Sequence, residues 1–107
     1  MESNIKLCSV KDTRIAVYSN PDFQLVDVRE KSEYDTVRIV NSKLVPLSSF
    51  EESCSCISKD KPVYLLCGAG KRAMKAAELL ELKGYKDLFV IDGGIKAWID
   101  AGYSVVR

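Results

Sequence analysis

The chain has 107 residues, of which 47% are hydrophobic, and its 16 basic side chains nearly balance 15 acidic ones. This length suits one core, so we predict a single domain over residues 1–107. A formal net charge of +1 gives no reason to expect nucleic acid or an acidic membrane as a partner. The absence of histidine excludes Ser-His-Asp and Cys-His catalysis, so any nucleophile must be activated in another way.

The N-terminal segment "MESNIKLCSV" is polar and lacks the apolar core of a signal peptide. No run reaches the roughly 18 apolar residues of a membrane-spanning helix. We therefore expect a cytoplasmic protein whose four cysteines stay reduced. Cys54 and Cys56 form "CSC", a poor spacing for a disulfide or a metal, and we expect them to be surface or half-buried residues without a role. No metal and no cofactor are expected.

Strands and helices are predicted to alternate along the chain. Short β-branched runs predict strands at 5–10, 24–30, 43–47, 62–67 and 87–93, with the first and third as weaker edge strands. Helical spacing and caps predict helices at 11–20, 31–39, 48–57, 71–84 and 93–102. Such alternation implies parallel crossovers, so we predict an α/β fold with helices on both faces of a parallel sheet.

The stretch "YLLCGAGKRAM" places Cys67 at the end of a buried strand, just before a turn and a helix. Ligands of parallel sheets bind beyond the carboxyl ends of the strands, where Cys67 is predicted to lie. Gly68 and Gly70 permit backbone angles that turn amides inward, and the helix N-terminus adds positive potential. Together with Lys71 and Arg72, these features would stabilise a thiolate and an anionic substrate beside it.

Two other roles are compatible with this loop. A cysteine at the end of a strand is often a small buried hydrophobic residue, and the local pattern favours catalysis and packing about equally. A nucleotide-binding loop fits less well, because Gly68-Ala69-Gly70 lacks the third glycine of a dinucleotide motif. Lys71-Arg72 also differs from the Lys-Ser/Thr ending of a P-loop.

Four motifs in order resemble the single-domain rhodanese family of sulfurtransferases: "LVDVREKSEY", "LVPLSSFEE", "YLLCGAGKRA" and "VIDGGIKAWIDAGYSV". The first carries Asp27, Arg29, Glu33 and Tyr34, and the third is a Cys-x4-Arg loop. The resemblance implies a three-layer α/β/α fold around a five-stranded, mainly parallel sheet.

The chain departs from the family pattern at two places. It has Val37-Arg38-Ile39 where the family usually has Gly-His-Ile, and we expect this change to alter packing without removing chemistry. It has Ala73 where many members carry serine or threonine, which removes one hydroxyl donor near the loop and could change substrate preference.

The resemblance implies a thiosulfate sulfurtransferase in which Cys67 takes the outer sulfur of a small anionic donor and holds it as a persulfide. Cyanide, a thiol or a protein cysteine would then accept that sulfur. Residues that would bind the substrate follow the cysteine directly: Gly68, Ala69, Gly70, Lys71 and Arg72. Of the two cations, Arg72 is expected to bind paired oxygens better. Asp27 and Arg29 are expected to form a structural ion pair near the site, because the chemistry needs no carboxylate base.

Other functions remain open from the residues alone. The domain could be a sulfur carrier or a binding module without turnover, although such modules typically lose the cysteine that this chain retains. It could also be a cysteine-based phosphatase or arsenate reductase. Related phosphatases carry a Cys-x5-Arg loop, whereas the loop from Cys67 to Arg72 is one residue shorter.

Overall fold

A five-stranded parallel sheet forms the centre of the computed structural model, which describes residues 3–107. The order of the strands across the sheet is β1-β5-β4-β2-β3. Their bounds are β1 (Ile5–Cys8), β2 (Gln24–Asp27), β3 (Lys43–Leu44), β4 (Val63–Leu66) and β5 (Leu88–Ile91). The predicted parallel α/β sheet is confirmed, and the two strands predicted as weaker lie at its edges.

In the described part of the chain, five α-helices connect or follow these strands. They are α1 (Val10–Ser19), α2 (Lys31–Thr36), α3 (Phe50–Ser53), α4 (Lys71–Leu82) and α5 (Gly94–Asp100). The longest, α4, has 12 residues, and within residues 3–107 no helix is both long and apolar enough to cross a bilayer.

The sheet separates two hydrophobic clusters because alternate residues of each strand point to opposite faces. Val26, Leu65 and Val90 pack against α3 and α4 on one face. Their neighbours in sequence, Leu25, Leu66 and Ile91, pack against α5 and the start of α1 on the other face. The predicted coverage of both faces is therefore confirmed.

Helix α4 packs closely on the sheet through small side chains. Ala73, Ala76, Ala77 and Leu80 are fully buried at the spacing predicted for the inner face. Ala73 thus lies in the hydrophobic core at the position where many relatives were expected to carry a hydroxyl group. The close fit of α4 holds its first turn next to the end of β4.

The prediction of one continuous helix at 48–57 is wrong. One α-helical turn, α3, is flanked by 3₁₀ turns at Leu47–Ser49 and Cys54–Cys56. Serine is not a strong helix former, and Phe50 and Cys54 anchor the segment in the core. Cys54 is therefore a buried packing residue, in contrast to its predicted position at or near the surface, and Cys56 is exposed.

Arg38 occupies the position where the family usually has histidine, and it connects α2 to the C-terminal segment. Its backbone exchanges two hydrogen bonds with Val106, at 2.9 and 2.7 Å. Its guanidinium lies 5.4 Å from the centre of the Tyr34 ring, within the range of a cation–π contact. At this position the chain thus forms an antiparallel bridge and a cation–π contact, and altered packing relative to the family stays a prediction.

Asp27 and Arg29 form a buried ion pair at the carboxyl end of β2. Arg29 donates to the Asp27 carboxylate from Nε at 3.0 and 3.1 Å and from Nη2 at 2.8 Å, and the two residues are 3% and 0% exposed. Arg29 also donates to the Val37 and Glu33 carbonyls, at 2.6 and 3.4 Å. The pair therefore holds α2 against the end of β2.

We expect Asp27→Asn to lower the free energy of unfolding by about 3–5 kcal/mol, because it leaves a buried guanidinium without its counter-charge. Asp35→Asn is the matched control, since it removes an exposed pair with Lys31 on α2 and should cost less than about 0.5 kcal/mol. Urea denaturation of both variants measures the difference. Equal losses would contradict the assigned role of the buried pair.

Candidate active site

The candidate site lies where β4 ends and α4 begins. Cys67 follows β4 directly and is only 1% exposed. The Gly70 N–H donates to Cys67 Sγ at 2.9 Å. Gly70 precedes α4 with a φ of 110°, a left-handed conformation that glycine adopts without a steric penalty. The sulfur therefore accepts a hydrogen bond from the residue just before α4, where the helix dipole favours negative charge.

The N-terminus of α5 packs against the same loop. The Ile95 N–H donates to the Cys67 carbonyl at 2.8 Å, and the Lys96 N–H donates to the Gly68 carbonyl at 3.2 Å. A trans peptide directs its C=O and N–H groups in opposite directions. The amides of Gly68 and Ala69 consequently point away from α5, which leaves them available to an anion on the other side of the loop.

This contact requires glycine at position 94. A Cβ atom on Gly94 would lie 2.3 Å from the Cys67 oxygen and 2.6 Å from the Gly68 oxygen. Gly94 also has a φ of 61°, in the left-handed region. Glycine therefore allows two segments of backbone to approach each other more closely than any side chain would permit.

Arg72 is paired with Glu33, which the sequence did not identify as part of the site. Its Nη1 and Nη2 atoms donate to the two carboxylate oxygens at 2.6 and 2.9 Å, and both side chains are half-buried. The Nη2 atom lies 3.0 Å from the point where a Cβ of Gly68 would be, so the guanidinium rests on the loop beside the cysteine. The pair links α2 to the first turn of α4.

This contact changes the protonation of both partners. The Arg72 hydrogen bonds lower the pKa of Glu33 from its usual 4.5 to about 2, against the opposing effect of partial burial. The same bonds to Glu33 raise the pKa of Arg72. The pair is therefore fully ionised at neutral pH.

The other predicted site residues are distributed around this centre. Ala69 and Lys71 are exposed, and Lys71 takes part in no ion pair within the described part of the chain. Asp27 is the parallel neighbour of Leu66 on the adjacent strand, and Arg29 reaches the Glu33 carbonyl. Glu33 thus connects the loop to the buried ion pair, because it contacts both Arg72 and Arg29. The position of Glu33 within the quoted "LVDVREKSEY" motif was the only sequence signal for its involvement.

Cys8 lies apart from Cys67, whereas Cys54 belongs to the same hydrophobic cluster as Cys67. Cys8 ends β1 opposite Ile91, whose side chain belongs to the cluster on the face away from α4. Cys67 belongs to the cluster that includes α4, so these two cysteines lie on different faces of the sheet. A cavity of about 130 Å³ is also distant in the fold, since residues at the amino ends of β2 and β3 line it.

Residues 9–101 match the rhodanese-like domain family, and the chain belongs to that family. This match confirms the predicted fold and the resemblance of the chain to the rhodanese family. The uncharacterized protein YqhL of Bacillus subtilis (strain 168) is 37% identical over 75 residues, which cover 70% of this chain and 60% of YqhL. The chain therefore spans less than two thirds of that relative.

Two further relatives extend this comparison. The thiosulfate sulfurtransferase GlpE of Coxiella burnetii (strain RSA 493 / Nine Mile phase I) is 27% identical over 77 residues, which cover 72% of each chain. The crystal structure of a rhodanese-related protein from Thermoplasma volcanium superposes with a TM-score of 0.85 at 30% identity. That match covers 94% of this chain and 97% of the other. Sulfurtransferases are thus among the relatives of this protein.

Gly94→Ala should destabilise the protein more than Gly102→Ala does. Both glycines have positive φ, at 61° and 81°, but a Cβ at Gly102 would meet nothing within 4 Å. Gly102→Ala should therefore cost only the backbone strain of about 1–2 kcal/mol. Gly94→Ala adds a clash with the Cys67 and Gly68 carbonyls. Urea denaturation gives both losses, and similar values would contradict the close approach of α5 to the loop.

The Glu33–Arg72 pair should also make stability depend on pH. The folded pKa of about 2 lies below the usual 4.5, so this contribution is complete above about pH 5 and is lost as the pH falls toward 2. We expect the stability difference between the unmodified protein and Glu33→Gln to shrink over that window. Urea denaturation between pH 7 and pH 2 measures it, with the exposed Glu52→Gln as control. A difference that stays constant with pH would contradict the pairing.

Proposed function

We propose that the protein is a sulfurtransferase of the thiosulfate sulfurtransferase type, with Cys67 as its nucleophile. The observation that carries this proposal is the hydrogen bond from the Gly70 N–H to Cys67 Sγ at the start of α4. This arrangement stabilises a sulfur anion with backbone and helix dipole, so no imidazole is required. Membership in a family that includes thiosulfate sulfurtransferases supports the same reaction.

In the first half of the proposed reaction, the Cys67 thiolate attacks the outer sulfur of the donor. A sulfur–sulfur bond forms at Cys67 while the donor's own sulfur–sulfur bond breaks. With thiosulfate, sulfite leaves with the electron pair and Cys67 becomes a persulfide. The Gly68 and Ala69 amides lie on the side of the loop away from α5, where they can donate to the added sulfur.

In the second half, a thiophilic acceptor attacks the outer sulfur of the persulfide and the Cys67 thiolate leaves. Cyanide serves as the acceptor in an assay, and a small thiol or a protein cysteine would serve in a cell. Storage of sulfur on the enzyme divides one transfer into two easier displacements. The first half requires a reduced thiol at Cys67 and the second half releases it again, which fits a reducing compartment such as the cytoplasm.

The loop length favours sulfur transfer over phosphate-ester hydrolysis. From Cys67 to Arg72 the loop has six residues, one fewer than the Cys-x5-Arg loop of related phosphatases. A phosphoryl group brings three anionic oxygens that all need donors, whereas a persulfide adds one sulfur. Unsatisfied anionic oxygens cost several kcal/mol, which corresponds to many powers of ten in rate.

Cys67→Ser should abolish sulfur transfer, because a serine hydroxyl at this position is neither a sulfur nucleophile nor a persulfide carrier. Intact mass after incubation with thiosulfate should rise by one sulfur atom in the unmodified protein and not in the variant. Cys56→Ser, which removes an exposed thiol outside the loop, should retain the gain and the formation of thiocyanate from cyanide. Cys67-dependent release of phosphate from an aryl phosphate, without thiocyanate, would overturn the proposal.

A further inference from the structure

The guanidinium expected to bind a dianionic donor is already occupied. Arg72 donates from both terminal nitrogens to the Glu33 carboxylate. Arg72 would use the same bidentate geometry to bind two oxygens of a donor such as thiosulfate. To bind a donor in the same way, Arg72 would have to leave Glu33 and expose a carboxylate beside an incoming anion.

Glu33 is itself held in place by two contacts besides Arg72. Its Oε1 accepts the Glu30 N–H at 3.0 Å, as part of the capping box of α2. Its carbonyl accepts from Arg29, whose own carboxylate partner, Asp27, is fully buried. Because backbone and side chain are both fixed without Arg72, the Glu33 carboxylate would stay in place, uncompensated, if Arg72 left it.

The charges at this end of the sheet therefore nearly cancel. Glu33 neutralises Arg72, which leaves Lys71 as the exposed cation of the loop. The exposed Asp92 follows β5 at the same edge, one strand from Cys67. A thiosulfate dianion would meet little net positive charge there, and the thiolate that must attack it is also negative.

We propose that Glu33 is a specificity-determining residue that shifts the site away from dianionic donors and toward monoanionic ones. The favoured class comprises persulfides and thiosulfonates, which present a transferable outer sulfur with one negative charge. This inference rests on the proposed sulfurtransferase function and adds the donor class. Glu33 acts by holding Arg72, so it is a positioning residue for the electrostatics of the site.

The chemical step is the same for both donor classes and differs only in the leaving group. With methanethiosulfonate, the Cys67 thiolate attacks the outer sulfur and methanesulfinate leaves with the electron pair, which gives the Cys67 persulfide anion. With thiosulfate, sulfite leaves in its place. Charge is conserved in each case, and no oxidant or reductant is required. The two donors thus form a matched pair whose charges differ by one.

The test compares kcat/KM for these two donors in the unmodified protein and in Glu33→Gln, at low ionic strength with cyanide as acceptor. The glutamine side chain can still accept from the Glu30 N–H and from Arg72, but it no longer cancels the arginine charge. One restored positive charge attracts a dianion about twice as strongly as a monoanion. We expect a gain of about tenfold for thiosulfate and about threefold for methanethiosulfonate, and these gains should shrink at high salt.

The double variant Glu33→Gln/Arg72→Gln distinguishes an effect of charge on donor preference from an effect of altered structure. It lacks the link between α2 and α4 but has the same net charge as the unmodified protein, so its donor preference should return to the original ratio. If loosening of the loop caused the effect, the double variant would keep the changed ratio, and the inference would be wrong. Asp35→Asn, which removes a carboxylate from the same helix away from Arg72, should leave the ratio unchanged.

Further outcomes test the role of Glu33 in donor preference. Equal changes for both donors in Glu33→Gln, or no change for either, would overturn the role of Glu33 while leaving the sulfurtransferase proposal intact. One test needs no variant: in the unmodified protein, the ratio of kcat/KM for the two donors should vary little with salt concentration. Failure of both donors to add one sulfur to Cys67 by intact mass would overturn the function proposal and this inference with it.

Discussion

The approach of α5 to the Cys67 loop is the constraint on which the candidate site depends. Two amides at the start of α5 hold the Cys67 and Gly68 carbonyls, and the absence of a side chain at Gly94 makes the contact possible. Because carbonyls and amides of the loop alternate in direction, holding the carbonyls on one side leaves the amides to the other. The orientation of the loop amides, on which the proposed anion binding depends, thus originates in a segment more than twenty residues further along the chain.

A chain of charges supports the loop from the opposite side. The fully buried Asp27 holds Arg29, Arg29 bonds to the backbone of Glu33, and Glu33 holds Arg72 at the start of α4. Burial makes the first pair costly to break, whereas the last pair is half exposed and more readily disturbed. The buried pair thus holds α2 in place, and the proposed role of the outermost pair is to set the charge that a donor meets.

In the proposed reaction, activation of the cysteine depends on backbone groups. An imidazole base can gain and lose a proton during a reaction, but the Gly70 amide and the dipole of α4 are permanent. Such an environment suits the proposed transfer of sulfur, in which both the attacking and the departing group at Cys67 are sulfur anions and no proton has to be moved. It also makes the net charge of the surrounding side chains the main variable that can separate one donor from another.

The sequence by itself determined the alternation of strands and helices, the two edge strands, the inner face of α4 and the position of Cys67 at a strand end. These features depend on local periodicity and on glycine positions, which are readable over a few residues. It did not determine the break in the segment around α3, where the burial of Phe50 and Cys54 overrides a weak helical pattern. Only the tertiary structure decided that Arg72 pairs with Glu33, 39 residues earlier in the chain. The fold brings those side chains together by placing α2 beside the start of α4, and no local pattern encodes that distance.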